Sequence, residues 1–264
     1  MSTAAISTKR KVFDLSKKAH KVIAKRAMIN VRSRWGFAID VSGSMKDLYR
    51  RGVVQATMER FLALAIRMDD DSEMETWAFS DQTTPLGGVT PDTANEYVRD
   101  HIIRAKLAGK WKGTYYLDAI RMPHRAWFPS LYPRQKTILD TLLGRPGKVP
   151  ALPLKNPPAE GKAVLMLVTD GANDDRDETQ TFLRWVENSP FYVNFVPIGN
   201  PSDFQFLHEM AERYQNVGIS WITDIEKISD ENLYETVLSE EMVRWFKAGT
   251  AAPVITAPSL HDIE

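Results

Sequence analysis

Five short apolar runs, separated by segments of helical period, constrain this chain more than any other feature. They are Trp35–Ile39 (closed by Asp40), Met74–Phe79, Ala163–Thr169, Phe191–Ile198 and Ile219–Ile222. Each is too short for a stable helix, and several lack the polar alternation of a half-solvated strand. Strands that are apolar on both faces belong in parallel sheets covered by helices on two sides. Between the runs, apolar residues recur at intervals of three and four. Leu15, Ala19, Val22, Ile23 and Ala27 predict a helix over 13–29; Val54, Met58, Phe61, Leu62, Ala65 and Ile66 predict one reaching about Arg67, with Ser44 at its N-cap. Further helices are expected over 92–106, 114–127, Glu178–Asn188, Phe204–Gln215 and Glu231–Ala248, and a short strand near Thr83–Leu86. The predicted fold is α/β: a Rossmann-like, doubly wound, mainly parallel sheet flanked by helices.

Pro129, Pro133, Pro146, Pro150, Pro153, Pro157 and Pro158 punctuate 129–161, which reads as an insertion loop with at most one helical turn within Thr137–Leu143. The expected organisation is a basic helical extension (1–30), the α/β domain (31–249) and a C-terminal tail (250–264). Basic and acidic residues balance at 34 each, so net charge selects no partner. The distribution is uneven. Ten Lys or Arg fall between Lys9 and Arg34 against Asp14 alone, and nine acids lie from Asp224 onward. Contact between the two ends, or a solvated helix face, is favoured over an acidic ligand.

The chain has no cysteine, which removes disulfides, zinc–thiolate sites and thiol catalysis. The run Ala163–Val168 falls far short of the roughly 20 residues a membrane helix needs. No stretch near Met1 resembles a secretory signal. A soluble protein of the cytoplasm is expected.

In such sheets ligands bind outside the carboxyl ends of the strands. Asp40, Ser42 and Ser44 stand at the end of the first run, where residues two apart in an extended chain point the same way. Gly43 is expected to allow a sharp turn between them. Asp170 closes a second run within VTDGAND, again before a glycine, and can reach the same crevice; Thr114, in KGTYY, offers a third hydroxyl. Oxygen donors alone suit a hard cation such as Mg²⁺, which takes six oxygens. Two neutral serines leave such an ion still attractive to an anion.

FAIDVSGSM, KGTYY and LMLVTDG resemble the three segments of the metal-ion-dependent adhesion site (MIDAS) of von Willebrand factor A (vWA) domains. FDLSKKA, ALAIRMDDDSEMETWAFSD, WITDIEKISDENLYETVL and RWFKA extend the likeness, over about 12–248, to the A-type domains of bacterial and phage tellurium-resistance (TerF-like) proteins. The resemblance implies a vWA fold with Ser42, Ser44 and Thr114 touching a metal ion (Mg²⁺, with Mn²⁺ or Ca²⁺ as alternatives). Asp40 and Asp170 would act directly or through water, and one position would stay open for a partner's Asp or Glu. It further implies a protein-binding adaptor rather than an enzyme, in a tellurium-resistance, stress or phage-linked assembly. The 129–161 stretch departs from the family pattern.

A metal-dependent hydrolase is the first alternative, although the motifs hold no His, Lys or Cys to act as a base. A nucleic-acid contact through 9–34 is the second, although its Lys and Arg alternate with aliphatic rather than aromatic residues. His208-Glu209 lacks the second histidine of a zinc-protease helix, Glu212 standing there. Residues 144–148 lack the spacing of a phosphate loop, and Asp69–Asp71 lack that of a calcium loop. The Asp69 run is expected to be a solvated turn, Trp111 and Trp127 to be exposed, and Asp174, Asp175 and Asp177 at most to tune the field around Asp170.

Overall fold

The apolar runs pair edge to edge. A computed structural model describes residues 3–69, 72–132 and 161–248. Within them β1 (Arg34–Asp40), β2 (Met74–Phe79), β3 (Thr83–Val89), β4 (Ala163–Thr169), β5 (Phe191–Pro197) and β6 (Val217–Ile219) form one sheet in the order β3-β2-β1-β4-β5-β6. All neighbours are parallel except β2 and β3. The order grows outward from the β1–β4 pair in both directions. The carboxyl ends of those two strands, at Asp40 and Thr169, therefore open on the switch-point crevice.

Strand alternation divides the interior into two cores, as a doubly wound sheet requires. Trp35, Phe37 and Ile39 of β1 and Val164, Met166 and Val168 of β4 face one layer, built on α1 (Thr3–Lys25), α3 (Val53–Met68), α7 (Asp230–Val237) and α8 (Glu240–Lys247). Ala38, Leu165 and Leu167 face the other, which holds α4 (Leu117–Trp127), α5 (Arg176–Val186) and α6 (Gln205–Arg213). The strands are buried along their whole length in β1, β2, β4 and β5, which is why they read as unbroken apolar runs.

Several boundaries depart from the sequence-based expectation. The first helix begins ten residues earlier than residue 13 and ends at Lys25. Beyond it, Ala27 takes a left-handed φ of 56°, which no helix can continue. The helix expected after Ser44 is two, α2 (Lys46–Arg50) and α3, broken at Gly52 with φ of 76°. Of the helix expected over 92–106, residues 97–98 are α-helical and run into a single π-type turn, Arg99–Ile103, and the rest is turn or irregular chain. There the Lys110 ammonium, donating to the carbonyls of Ile102, Ile103 and Ala105 at 2.9, 3.1 and 2.6 Å, takes the place of helix continuation. The last helix breaks at Leu238, with Ser239 capping α8 through a hydrogen bond from the Met242 amide. Trp127 is buried, edge-on to Trp77 and against Gly36, where a Cβ would clash with it. Asp69 is buried rather than solvated: it accepts from the Trp35 amide at 2.6 Å and lies 3.6 Å from Arg34. Asp70, Asp71, the segment Thr137–Leu143 and the tail 250–264 lie outside the described residues.

The basic segment folds onto the chain's own acids. Lys9 meets Asp92, Lys11 meets Glu59, Lys18 meets Asp230 and Lys25 meets Glu235, all within 2.6–2.7 Å. Thus α1 lies across α3 and α7, with its ammonium groups largely committed. Among the described residues no helix is long and apolar enough to cross a membrane.

Candidate metal centre

Asp40 ends β1 fully buried, and its two carboxylate oxygens serve two different segments. Oδ1 accepts from the Ser42 amide at 2.7 Å; Oδ2 accepts from the Thr169 hydroxyl at 2.6 Å. The first bond turns the chain immediately after the strand. Ser42 and Ser44 are therefore brought together by a turn and not by strand alternation, their hydroxyl oxygens lying 3.2 Å apart. Ser44 caps no helix. Met45 holds the N-cap position of α2, and the Ser44 hydroxyl donates instead to Asp170 Oδ1 at 2.6 Å. Asp40, Ser42, Ser44 and Asp170 thus form one continuous hydrogen-bonded array across the β1–β4 switch point.

Thr114 reaches the same crevice by a different route. A Cβ placed on Gly171 would lie 3.0 Å from the Thr114 hydroxyl, so the glycine next to Asp170 supplies room for that side chain. Neither Gly43 nor Gly171 has a left-handed φ among the described residues; the turn freedom expected of them is not used. Thr114 is held by its backbone. Its amide donates to Asp174 Oδ2 at 2.8 Å, and its carbonyl accepts from the Asp174 amide at 2.8 Å. Asp175 takes the amides of Tyr116 and Leu117 at 2.8 and 2.9 Å, capping α4 from 58 residues downstream in the chain. The acids after Asp170, read from sequence as field-tuning groups, are in two cases the clamps that bring the Thr114 segment to the crevice. Asp177 stays exposed in the first turn of α5.

Three further residues complete the floor and were not singled out in the sequence. Thr169 accepts from the Tyr116 hydroxyl at 3.3 Å while donating to Asp40. Tyr116 also donates to the Gly171 carbonyl at 2.7 Å, and the Tyr49 hydroxyl donates to the Asp40 carbonyl at 2.8 Å. Only the tyrosine and threonine letters beside the motifs carried that signal, and single letters do not reveal a partner fixed by tertiary contact.

The electrostatics match the donor set. Burial drives the Asp40 carboxyl up to about 6, hydrogen bonds from Ser42 and Thr169 hold it back, and the charge on Asp170 adds to the rise. Burial likewise raises Asp170, against its hydrogen bond from Ser44. Two desolvated carboxylates thus face each other, and no Lys or Arg ion pair to either is found among the described residues. Such a pair is destabilised until a proton or a cation neutralises it. Among the described residues no group of three or more His, Cys, Asp or Glu converges on a metal position; the oxygens this crevice gathers belong to two carboxylates and three hydroxyls. That all-oxygen set fits a hard divalent ion. Ser44 is exposed and Asp170 half-buried, forming the mouth, while Asp40 and Ser42 lie below. A cavity of about 260 Å³ is lined by Asp81, Tyr115, Asp118, Asp175 and Glu178 among others, and by none of Asp40, Ser42, Ser44, Thr114 and Asp170.

Among known families, the chain matches vWA-TerF-like, described as the vWA found in the TerF C terminus, over residues 32–124 and 152–255. It is 26% identical over 235 residues to the uncharacterized protein YcbR of Bacillus subtilis (strain 168), covering 86% of this chain and 84% of that one. Among solved structures it is similar to the conserved hypothetical protein BatB from Bacteroides thetaiotaomicron, at 13% identity and a TM-score of 0.47, covering 81% of this chain and 99% of that one. A second is proximal thread matrix protein 1 from the mussel byssus with a zinc occupied MIDAS motif, at 14% identity and a TM-score of 0.43, covering 80% and 50%.

Proposed function

Since the chain belongs to the vWA-TerF-like family, we propose that it is a protein-binding adaptor that holds one Mg²⁺-class ion on Asp40, Ser42, Ser44, Thr114 and Asp170 and captures an acidic side chain of a partner. The observation that carries this reading is the Asp40–Ser42–Ser44–Asp170 array. It gathers a buried carboxylate, a half-buried carboxylate that raises it by charge repulsion, and two hydroxyls from both sides of the switch point. When bound, the ion supplies an electrophilic position that a carboxylate can occupy. The protein's own part is to preorganise the oxygens: the Ser42 amide and Thr169 hydroxyl orient Asp40, and Asp174 orients Thr114. Mn²⁺ and Ca²⁺ are the alternatives to Mg²⁺ that the same oxygens accommodate.

Binding is favoured over hydrolysis because, among the described residues, the side chains that make the crevice's hydrogen bonds are hydroxyls and carboxylates, with no His or Lys among them to act as a base. Nucleic-acid binding through 9–34 is disfavoured by the ion pairs that occupy Lys9, Lys11, Lys18 and Lys25. The TerF-like affiliation supports a place in a cytoplasmic tellurium-resistance, stress or phage-linked assembly. The test is affinity capture from bacterial lysate. Native chain in Mg²⁺ should retain partners that EDTA releases and that Asp40→Asn fails to capture; the same partners held equally in all three conditions would overturn the proposal.

A further inference from the structure

Among the described residues, four non-glycine positions have a left-handed backbone: Ala27, Ser72, Glu96 and Trp111. The first three are exposed turn residues. Trp111, with φ of 71°, is a bulky aromatic in that region. Such a conformation is strained and persists only where the surroundings enforce it. The enforcement is visible. The indole packs edge-on against Tyr49 at 5.4 Å, with the ammonium groups of Lys46 and Lys110 each 5.7 Å from the ring. Tyr49 is the residue whose hydroxyl holds the Asp40 carbonyl.

The backbone at this turn points at the metal loop. The Trp111 amide donates to the Val41 carbonyl at 2.7 Å, and the Lys112 carbonyl accepts from the Gly43 amide at 3.2 Å. These two bonds bracket Ser42 and adjoin Ser44. Gly43 lies directly beneath the turn, where even a Cβ would stand in ordinary van der Waals contact, 3.5 Å, with the Trp111 carbonyl. Two residues farther along, the Gly113 carbonyl accepts from Ser80, which ties the start of the Thr114 segment to the end of β2.

We infer that Trp111 is a positioning residue for the cation. Its indole, wedged on Tyr49 between two lysines, holds residue 111 left-handed. The backbone so fixed clamps Val41 and Gly43, keeping the Ser42 and Ser44 hydroxyls on one side of the crevice and Thr114 on the other. The residue touches neither ion nor partner and acts through the loop. This inference rests on the metal reading above.

The experiment compares native chain, Trp111→Ala and Trp111→Phe by Mg²⁺ calorimetry, together with amide hydrogen exchange in EDTA. Trp111→Ala should bind Mg²⁺ about tenfold more weakly, in the range typical when groups that orient metal ligands are lost. Its Gly43 amide should exchange faster while the amides of β4 keep native protection. Trp111→Phe, which retains a ring against Tyr49, should recover most of the affinity. If Trp111→Ala melts too low to study, Trp111→Gly relieves the backbone strain and serves instead, with the same loss expected. An alanine or glycine variant within twofold of native affinity overturns the inference, as does an equal loss in Ala and Phe without faster Gly43 exchange. A native chain that takes up no Mg²⁺ instead removes the metal reading, a separate and distinguishable result.

Discussion

At the scale of single residues, Asp40 shows how a binding site costs its protein stability. The carboxyl titrates near 6 in the folded chain because burial outweighs its hydrogen bonds, against 3.8 when solvated. A folded value above the unfolded one means that stability present below about pH 3.8 is lost as pH rises through 6. The difference corresponds to about 3 kcal/mol at neutral pH. Asparagine keeps the shape and drops the charge: its carbonyl can still accept from the Ser42 amide, and its amide can donate to Thr169, whose hydroxyl oxygen lies 3.4 Å from the Gly171 carbonyl oxygen and can donate there instead. In EDTA, Asp40→Asn should therefore have a higher urea midpoint than native at pH 7.5, and the two should converge by pH 4. A variant less stable than native at pH 7.5 would show that the Asp40 hydrogen bonds outweigh its burial. His124 works in the opposite sense, since burial lowers it to about 3 and its neutral form is lost only on acidification; it is common to both proteins and cancels in the comparison.

At the scale of elements, α1 shows which of its two kinds of contact holds it. Val12, Leu15, Ala19, Val22 and Ile23 are buried in the core on the α3 and α7 side of the sheet, whereas Lys25 and Glu235 pair at 67% and 38% side-chain exposure. Exposed pairs contribute about 0–1 kcal/mol, while a charge forced into a core costs several. Val22→Asp should therefore abolish cooperative unfolding or lower the urea-derived stability by more than about 3 kcal/mol, and Lys25→Ala should change it by less than about 0.5 kcal/mol. Comparable effects would mean that the ion pairs, not the apolar stripe, dock the helix. The stripe was plain in the sequence because burial on one helix face imposes its own period. The ends of elements were not. Gly52 and Ser239 interrupt what periodicity alone reads as continuous helices, and the π-type turn at Arg99–Ile103 depends on a lysine seven to eight residues away that no local pattern announces. The candidate site divides the same way. Asp40, Ser42, Ser44 and Asp170 stood out because they interrupt apolar runs, whereas Tyr49, Tyr116 and Trp111 enter through contacts between distant segments. In sequence Ser44 suits a cap as well as a ligand, because a hydroxyl at a helix start fits either role, and only the position of Asp170 decides between them.

At the scale of the whole molecule, the proposed donors are drawn from the end of β1, the segment before α4 and the end of β4, so an ion held by all of them would tie both layers of the fold at the switch point. A ligand that binds the folded chain alone stabilises it by about 2.7 kcal/mol at one hundred times its dissociation constant. For a chain of this size each kcal/mol moves the melting temperature by about 2–4 °C. Saturating Mg²⁺ should accordingly raise the melting temperature by about 5–10 °C over EDTA. The increment should shrink between pH 7.5 and 5, because protons compete for the Asp40 carboxylate that titrates near 6. Asp40→Asn should melt at the same temperature with and without the ion, although it begins from a more stable metal-free state. Scanning calorimetry of both proteins at the two pH values measures all of these quantities. An equal Mg²⁺ increment in native and variant would assign the stabilisation to ions bound elsewhere on the surface and detach it from the switch point.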